Sequence, residues 1–144
     1  MHFKTGQWPH TLVTDLDYEQ QVDECYDDYP CNNGFDTAGK VLSFLTSHID
    51  GFTPLSPKTD DWESLGTLQQ FDQIEFLDDP SLLEKSGFMD QGYVYIPDSC
   101  LSSQCHIHLN LHCCGGQGDT LPNYGGYNEW AANNNIIMLY PMVQ

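Results

Sequence analysis

The chain has 144 residues, the size of one domain, and its 21 acidic and 4 basic residues give a net charge of −17. The basic residues are all lysines, so the chain lacks the cationic patches that bind nucleic acid phosphates or anionic lipids. Hydrophobic residues make up 40% and aromatic residues 12%, which is too much for a disordered acidic chain. We therefore expect a folded domain that binds neither nucleic acid nor membranes.

The first half of the chain predicts one helix between irregular segments. Residues 1–35 are polar, acidic and rich in turn formers, and residues 50–66 predict a loop. Between them, residues 36–48 predict a helix with Asp36 as its N-cap. Apolar residues recur along it at helical spacing: Ala38, Val41, Leu42 and Leu45.

The second half predicts strands alternating with short helices. The predicted strands are Phe71–Phe76, Gly92–Pro97, Cys105–His112 and Asn135–Pro141, and the predicted helices are Asp79–Lys85, ending at Gly87, and Tyr127–Asn134. The last two strands enclose a helix, which is the pattern of a βαβ unit with parallel strands. We therefore expect an α/β fold with a mixed, mostly parallel sheet and flanking helices.

Six cysteines indicate an oxidising compartment. Cys25 and Cys31 enclose one short polar loop, and Cys100 and Cys105 enclose another, so both pairs are disulfide candidates. The N-terminus has no apolar signal region. Because a disulfide-bonded protein requires export, we expect this chain to be a piece of a longer precursor.

Three histidines share the parity of one strand face in the predicted strand Cys105–His112. His106 and His112 are six residues apart, or about 20 Å along a strand, too far to bind one ion. A three-histidine zinc site is thereby excluded, and His106 with His108 remains open as a metal-binding pair.

The segment that follows this strand has the layout of an oxyanion loop. His112, Cys113, Cys114 and Gly115 come directly after a predicted buried strand, where backbone N–H groups are left free to bind a developing negative charge. A tight glycine turn is the alternative interpretation. A cysteine nucleophile is disfavoured because no activating partner is evident, and the chain contains no G-x-S-x-G nucleophile motif.

Several short motifs occur in a fixed order along nearly the whole chain. They are Trp8–Thr11, Tyr29–Gly39, Gln91–Pro97, Cys100–His108, Leu111–Cys114, Gly126–Ala131 and Asn135–Pro141. In combination they resemble the extracellular poly(3-hydroxybutyrate) depolymerases, and more closely their fungal-type, circularly permuted α/β-hydrolase subgroup. The resemblance implies one partial α/β-hydrolase catalytic domain over residues 1–144. Residues 1–66 would form its histidine-bearing loop and helix, and residues 67–144 its strands, oxyanion loop and βαβ unit.

The resemblance also implies roles for individual residues. His10, which without it would be read as an exposed loop histidine, corresponds to the catalytic base and acid. Cys114 corresponds to the residue whose backbone N–H is one oxyanion donor. Cys113 replaces the family's glycine and adds a Cβ to a tight turn. The family's serine nucleophile and aspartate have no counterpart in this chain.

The implied activity is that of a secreted serine esterase, a monomer that needs no cofactor or metal and hydrolyses polyester or small acyl esters. Without the serine and the aspartate, we expect this chain alone to be inactive. The alternative is a non-catalytic remnant of the fold that binds a polyester or another ligand.

Overall fold

The computed structural model describes residues 12–17, 31–112 and 120–143. Of the predicted site residues, His10, Cys25, Cys113, Cys114 and Gly115 lie outside these ranges. The described strands are β1 (Val13–Thr14), β2 (Cys31–Asn32), β3 (Gly66–Asp72), β4 (Gln91–Pro97), β5 (His106–Leu109) and β6 (Ile136–Tyr140). The α-helices are α1 (Thr37–Thr46), α2 (Leu83–Ser86), α3 (Thr120–Tyr124) and α4 (Tyr127–Ala131).

The central sheet is mixed and has the order β3-β4-β6-β5. Strands β5 and β6 are parallel, whereas β4 runs antiparallel to both β3 and β6. The expectation of a mostly parallel sheet is therefore wrong for the described strands of this sheet. The physical reason is the connection between β3 and β4. It brings the chain back beside β3 from the same end of the sheet, and it does not cross the sheet as a βαβ connection does, so the two strands pair antiparallel.

The βαβ unit is confirmed. Strand β5 leads through α3 and α4 to β6, and the two strands pair in parallel from His106 opposite Ile136 to Leu109 opposite Leu139. Helix α3, within the segment expected to be a loop, was not predicted. Strands β1 and β2 form a separate short parallel pair in the region expected to be irregular.

The predicted strand Phe71–Phe76 is misplaced, because β3 begins at Gly66 and ends at Asp72. Pairing with β4 sets these limits, with Gly66 opposite Pro97 and Asp72 opposite Gln91. The Asp72 carboxylate then accepts a hydrogen bond from the Ile74 N–H at 2.8 Å, and the chain turns into a 3₁₀ helix over Ile74–Phe76.

Two other predicted elements are shorter than expected. Strand β5 ends at Leu109 and not at His112, although the Asn110 N–H still donates to β6 at 2.9 Å. Helix α4 ends at Ala131 and not at Asn134. The Asn134 side chain donates to the Trp130 carbonyl at 2.7 Å, which satisfies a free carbonyl of the last turn.

Helix α1 confirms its predicted position and its N-cap. The Asp36 carboxylate accepts a hydrogen bond from the Gly39 N–H at 2.7 Å. Its other oxygen accepts from the Trp130 indole N–H at 3.0 Å, so the same side chain ties α1 to α4. Because a Cβ on Gly39 would lie 2.6 Å from the Trp130 ring, the two helices can approach this closely only with glycine there.

We expect Gly39→Ala to lower the free energy of unfolding by about 1–3 kcal/mol, because the methyl group overpacks the contact with Trp130. Ser43→Ala, at an exposed position of the same helix, is the matched control and should change it by less than about 0.5 kcal/mol. Urea unfolding of both variants measures the difference. If Gly39→Ala and Ser43→Ala have equal free energies of unfolding, then α1 and α4 can accommodate the added methyl group without strain.

One buried cluster joins the helices to one face of the sheet. Its members come from α1, the region of α3 and α4, and strands β4 and β6: Ala38, Leu42, Tyr95, Leu121, Tyr127, Ala131, Ala132, Ile136, Met138 and Tyr140. Among the described residues, no helix has both the length and the apolar character needed to cross a membrane.

The Cys100–Cys105 disulfide is confirmed and joins a 3₁₀ helix to the start of β5. Cys31 is buried and also disulfide-bonded. The predicted partner, Cys25, lies outside the described residues, so that pair stays a prediction.

Candidate active-site edge

The described part of the candidate oxyanion loop begins at His112, beyond the carboxyl end of β5. Because β5 and β6 are parallel, their carboxyl ends meet at one edge of the sheet, where ligands of α/β proteins bind. The His112 Nε2 atom accepts a hydrogen bond from the Val143 N–H at 3.2 Å. The contact attaches the start of the loop to the segment after β6.

That segment is itself held by a buried side chain. Gln73 donates to the carbonyl oxygens of Met89 and Met142 at 2.8 and 2.9 Å, and accepts from the Met142 N–H at 3.1 Å. Val143 forms a bridge with Phe88. The base of the loop is thus part of a hydrogen-bonded framework. Sequence reasoning missed Gln73, because it lies in the misplaced strand Phe71–Phe76 and a single glutamine there carries no signal of its role.

Three side chains, from β5, from the residue after it and from α4, meet near the carboxyl end of β5. The His108 ring stacks on the Tyr127 ring, with centroids 5.4 Å apart. Burial lowers the pKa of His108 and raises the pKa of Tyr127, so both are neutral near pH 7. The Asn110 side chain faces the Tyr127 hydroxyl, and its buried Nδ2 makes no well-aligned hydrogen bond to the described residues.

The segment that follows His10 is anchored near the start of α4. The Cys31 N–H donates to the Leu12 carbonyl at 2.8 Å, which fixes the chain two residues after His10. A Cβ on Gly126, the residue that precedes α4, would lie 3.6 Å from the Thr14 hydroxyl oxygen. Since α4 leads toward the start of β6, its first turn lies toward the carboxyl edge, and residues 12–16 are held on that side.

Glu129 is the functional candidate that sequence reasoning did not single out. Its side chain lines a cavity of about 570 Å³, together with Asp15, Lys58 and Asp60. Burial, opposed by Lys58 and reinforced by the two aspartates, raises the pKa of Glu129 to about 7. Lys58 forms an ion pair with Asp15 at 2.5 Å. Sequence reasoning missed Glu129 because the charged groups around it come from distant segments of the chain.

A second cavity, of about 340 Å³, lies between α1 and β5 and is mostly apolar. His48, His106 and His108 line it, and His106 packs on the Phe52 ring at 4.8 Å between centroids. Within the described ranges, no group of three or more histidine, cysteine, aspartate or glutamate residues is arranged to hold a metal ion. The pair His106 and His108 is on one face as predicted, and both rings pack on aromatic side chains.

No family model matches the chain, but individual relatives do. It is 32% identical over 139 residues to a poly(3-hydroxybutyrate) depolymerase of Delftia acidovorans, a match that covers 92% of this chain and 26% of that protein. It is 40% identical over 62 residues to a polyhydroxybutyrate depolymerase of Talaromyces funiculosus, covering 39% of this chain and 18% of that one. The chain thus spans about a quarter of the first of these relatives.

The fold is similar to that of solved depolymerases. A PHB depolymerase solved in complex with an R3HB trimer superposes with a TM-score of 0.66 at 26% identity, covering 94% of this chain and 41% of that one. The PHB depolymerase of Penicillium funiculosum superposes with a TM-score of 0.64 at the same identity and coverage. The chain therefore carries part of an α/β-hydrolase fold. In sequence and in fold it belongs to the family of the poly(3-hydroxybutyrate) depolymerases.

Proposed function

We propose that the chain is part of a secreted carboxylic-ester hydrolase that degrades a poly(3-hydroxybutyrate)-type polyester. The observation that supports this most strongly is a match to a depolymerase over 92% of the chain. The solved relative bound to an R3HB trimer indicates the substrate class. The Cys100–Cys105 disulfide favours an oxidising, extracellular compartment.

In the proposed mechanism, a serine from outside this chain attacks the ester carbonyl. His10 removes the serine proton and returns it to the leaving alcohol, with an aspartate from outside this chain orienting its ring. The backbone N–H of Cys114 donates to the oxyanion of the tetrahedral intermediate. The donor is a main-chain group, so the chemistry does not require the Cys114 thiol.

The geometry of the described residues supports a site in which the loop after β5 and the segment that follows His10 lie close together. The start of the loop is held through His112 and Val143, and its far end leads into α3 and α4. The chain after His10 is held against the residue that precedes α4. Both segments are therefore anchored toward the carboxyl edge of the parallel strands, where an ester would meet them.

The test is to supply the missing part in trans. This chain would be co-expressed with a tagged polypeptide composed of the regions of the Penicillium funiculosum depolymerase that it does not match. We expect the pair to release 3-hydroxybutyrate from polyester films, and this chain alone to release none. His10→Ala should reduce release by at least about 10³-fold, the scale of losing a triad member. His2→Ala is the matched control and should retain activity.

A pair that forms but hydrolyses no ester, or hydrolyses it equally well with His10→Ala, contradicts the proposed function. Binding of the chain to polyester films without hydrolysis by any pair would instead support the non-catalytic binding role.

A further inference from the structure

A cavity of about 570 Å³ lies where four segments of the chain meet, and the proposed ester hydrolysis makes no use of it. The segment after β1, the loop between α1 and β3, and the helices α3 and α4 each contribute side chains to its wall. Small-molecule sites in proteins have volumes of about 300–1,000 Å³. The cavity is therefore large enough for an organic ligand.

The walls of this cavity are fastened to one another. The Thr59 N–H, in the loop between α1 and β3, donates to the Glu129 carbonyl of α4 at 3.0 Å. The Lys58 ammonium, in the same loop, forms an ion pair with Asp15 at 2.5 Å and so joins the loop to the segment after β1. The shape of the cavity is thus held by contacts between three of its segments.

The Glu129 carboxyl is a buried acceptor that faces the cavity. The residue is 6% exposed, and its side chain is part of the lining. Among the described residues, its carboxyl accepts a hydrogen bond only from its own backbone N–H, and Lys58 pairs with Asp15 and not with it. A buried carboxylate is normally paired with a cation or with several donors. The Glu129 carboxyl therefore keeps acceptor positions for a ligand.

The charge of the cavity selects a cation. Lys58 is the only basic residue among the described residues of the lining. The acidic residues of the same lining come from all the segments except α3: Asp15, Asp17, Asp60, Glu63 and Glu129. Such an excess of one sign attracts cations and repels anions.

The shape and the aromatic walls of the cavity favour an organic cation over a metal ion. Within the described ranges, no three acidic, histidine or cysteine side chains converge as metal ligands. The aromatic side chains of Trp62 and Tyr124 line the cavity, and aromatic faces attract ammonium groups. A neighbouring cavity of about 440 Å³ shares Trp62 and Glu63 with the first, so the two form one elongated space. That space fits an aliphatic chain with an ammonium group at each end.

We propose that this cavity binds an aliphatic diamine or polyamine, with one ammonium group donating to the Glu129 carboxylate. The aliphatic stem lies against Trp62, and a second ammonium group meets the exposed carboxylates of Asp60 and Glu63. Binding compensates a buried negative charge and so stabilises the folded chain. The proposal does not rest on ester hydrolysis, because binding requires no group from outside this chain.

The protonation of Glu129 adds a pH dependence to this binding. Burial raises the pKa of Glu129 to about 7. The other titratable groups that interact with it come from the cavity wall and from strands β4 and β6: Lys58, Asp60, Asp15, Tyr95 and Tyr140. The lysine lowers this pKa and the two aspartates raise it, whereas both tyrosines stay neutral because burial raises their own pKa values. An ammonium group favours the ionised carboxylate, so affinity is highest above pH 7 and falls as Glu129 takes up a proton.

The experiment is calorimetric titration of this chain with putrescine, a four-carbon diamine, in phosphate buffer at pH 8. We expect 1:1 binding with a Kd below about 1 mM. Glu129→Gln keeps the shape of the side chain and should weaken binding at least about tenfold. Glu75→Gln removes one carboxylate from an exposed position outside the cavity lining and is the matched control, with an expected change of less than about twofold. At pH 5 the natural chain should bind at least about tenfold more weakly than at pH 8, and Glu129→Gln should change much less.

Two further probes separate charge from shape. Butanediol has the same length without charge and should not bind, and butylamine, with one ammonium group, should bind more weakly than putrescine. Absence of saturable putrescine binding, or equal affinity in Glu129→Gln and the natural chain, would overturn the proposal. Equal losses in Glu129→Gln and Glu75→Gln would also overturn it, since the general negative charge would then explain the binding. If Ca²⁺ binds more tightly than putrescine and Glu129→Gln abolishes that binding, the cavity is a metal site and the diamine proposal is wrong.

Discussion

Replacing Glu129 by glutamine raises the free energy of unfolding by about 3 kcal/mol at pH 8 and changes it little at pH 4. Glu129 is only 6% exposed, and burial raises its pKa from 4.5 to about 7, with Asp60 and Asp15 adding to the effect and Lys58 opposing it. Ionising this carboxyl inside the folded protein is therefore unfavourable. Glutamine has nearly the same shape and never ionises.

The pH dependence follows from the direction of this shift. A carboxyl whose pKa is higher in the folded state binds protons more tightly when the protein is folded. Its contribution to stability is complete below pH 4.5 and is lost as the pH rises through about 7. The natural chain should lose stability over this range, and Glu129→Gln should lose much less.

Urea unfolding at pH 4, 6 and 8 measures the effect. Glu63→Gln removes a carboxylate from the exposed rim of the same cavity and is the matched control. We expect Glu63→Gln to leave the slope of stability against pH between 4.5 and 7 nearly unchanged. If both variants alter this slope equally, the dependence comes from the general acidity of the cavity and not from the buried carboxyl.

Met138→Ala lowers the free energy of unfolding by about 2–5 kcal/mol, the range for truncating a fully buried methionine. Met138 is 0% exposed at the centre of β6, opposite Tyr95 on one side and His108 on the other. Truncation leaves a cavity between these strands and the helix layer. The spread in the expected value depends on how far the neighbours can move into that cavity.

The matched control is Met89→Ala. It is the same substitution at a surface position, because Met89 is 41% exposed. Its expected effect is below about 1 kcal/mol. Guanidinium unfolding monitored by circular dichroism measures both. If Met138→Ala proves as mild as Met89→Ala, the region between β6 and the helices is not a tightly packed core.

Local sequence determined the elements whose limits depend on near neighbours. Helix α1 starts where Asp36 caps it, and the short helix α2 ends before Gly87, which caps it in the left-handed conformation with φ of 75°. Strands β4 and β6 lie where β-branched and aromatic residues cluster. These features need only backbone preference, capping and side-chain periodicity, which are set within a few residues along the chain.

For the candidate site, the sequence indicated the loop after β5. The family resemblance in the sequence also assigned catalytic roles to His10 and Cys114. It did not indicate Gln73 or Glu129. The hydrogen-bond partners of Gln73 lie 16 and 69 residues away, and the surroundings of Glu129 come from the separate segments of Asp15 and Lys58. When a residue is buried by segments that are distant along the chain, the sequence around that residue carries no pattern that reveals it.

Tertiary structure alone decided the direction of pairing, the limits of β3 and the layer that each strand face meets. Sequence predicted β6 as a buried strand from its apolar residues, but only the fold shows that its inner side chains are covered and that its outer ones are partly exposed. The reason is that hydrophobicity states which side chains gain from leaving water, whereas burial depends on which distant segments arrive to cover them.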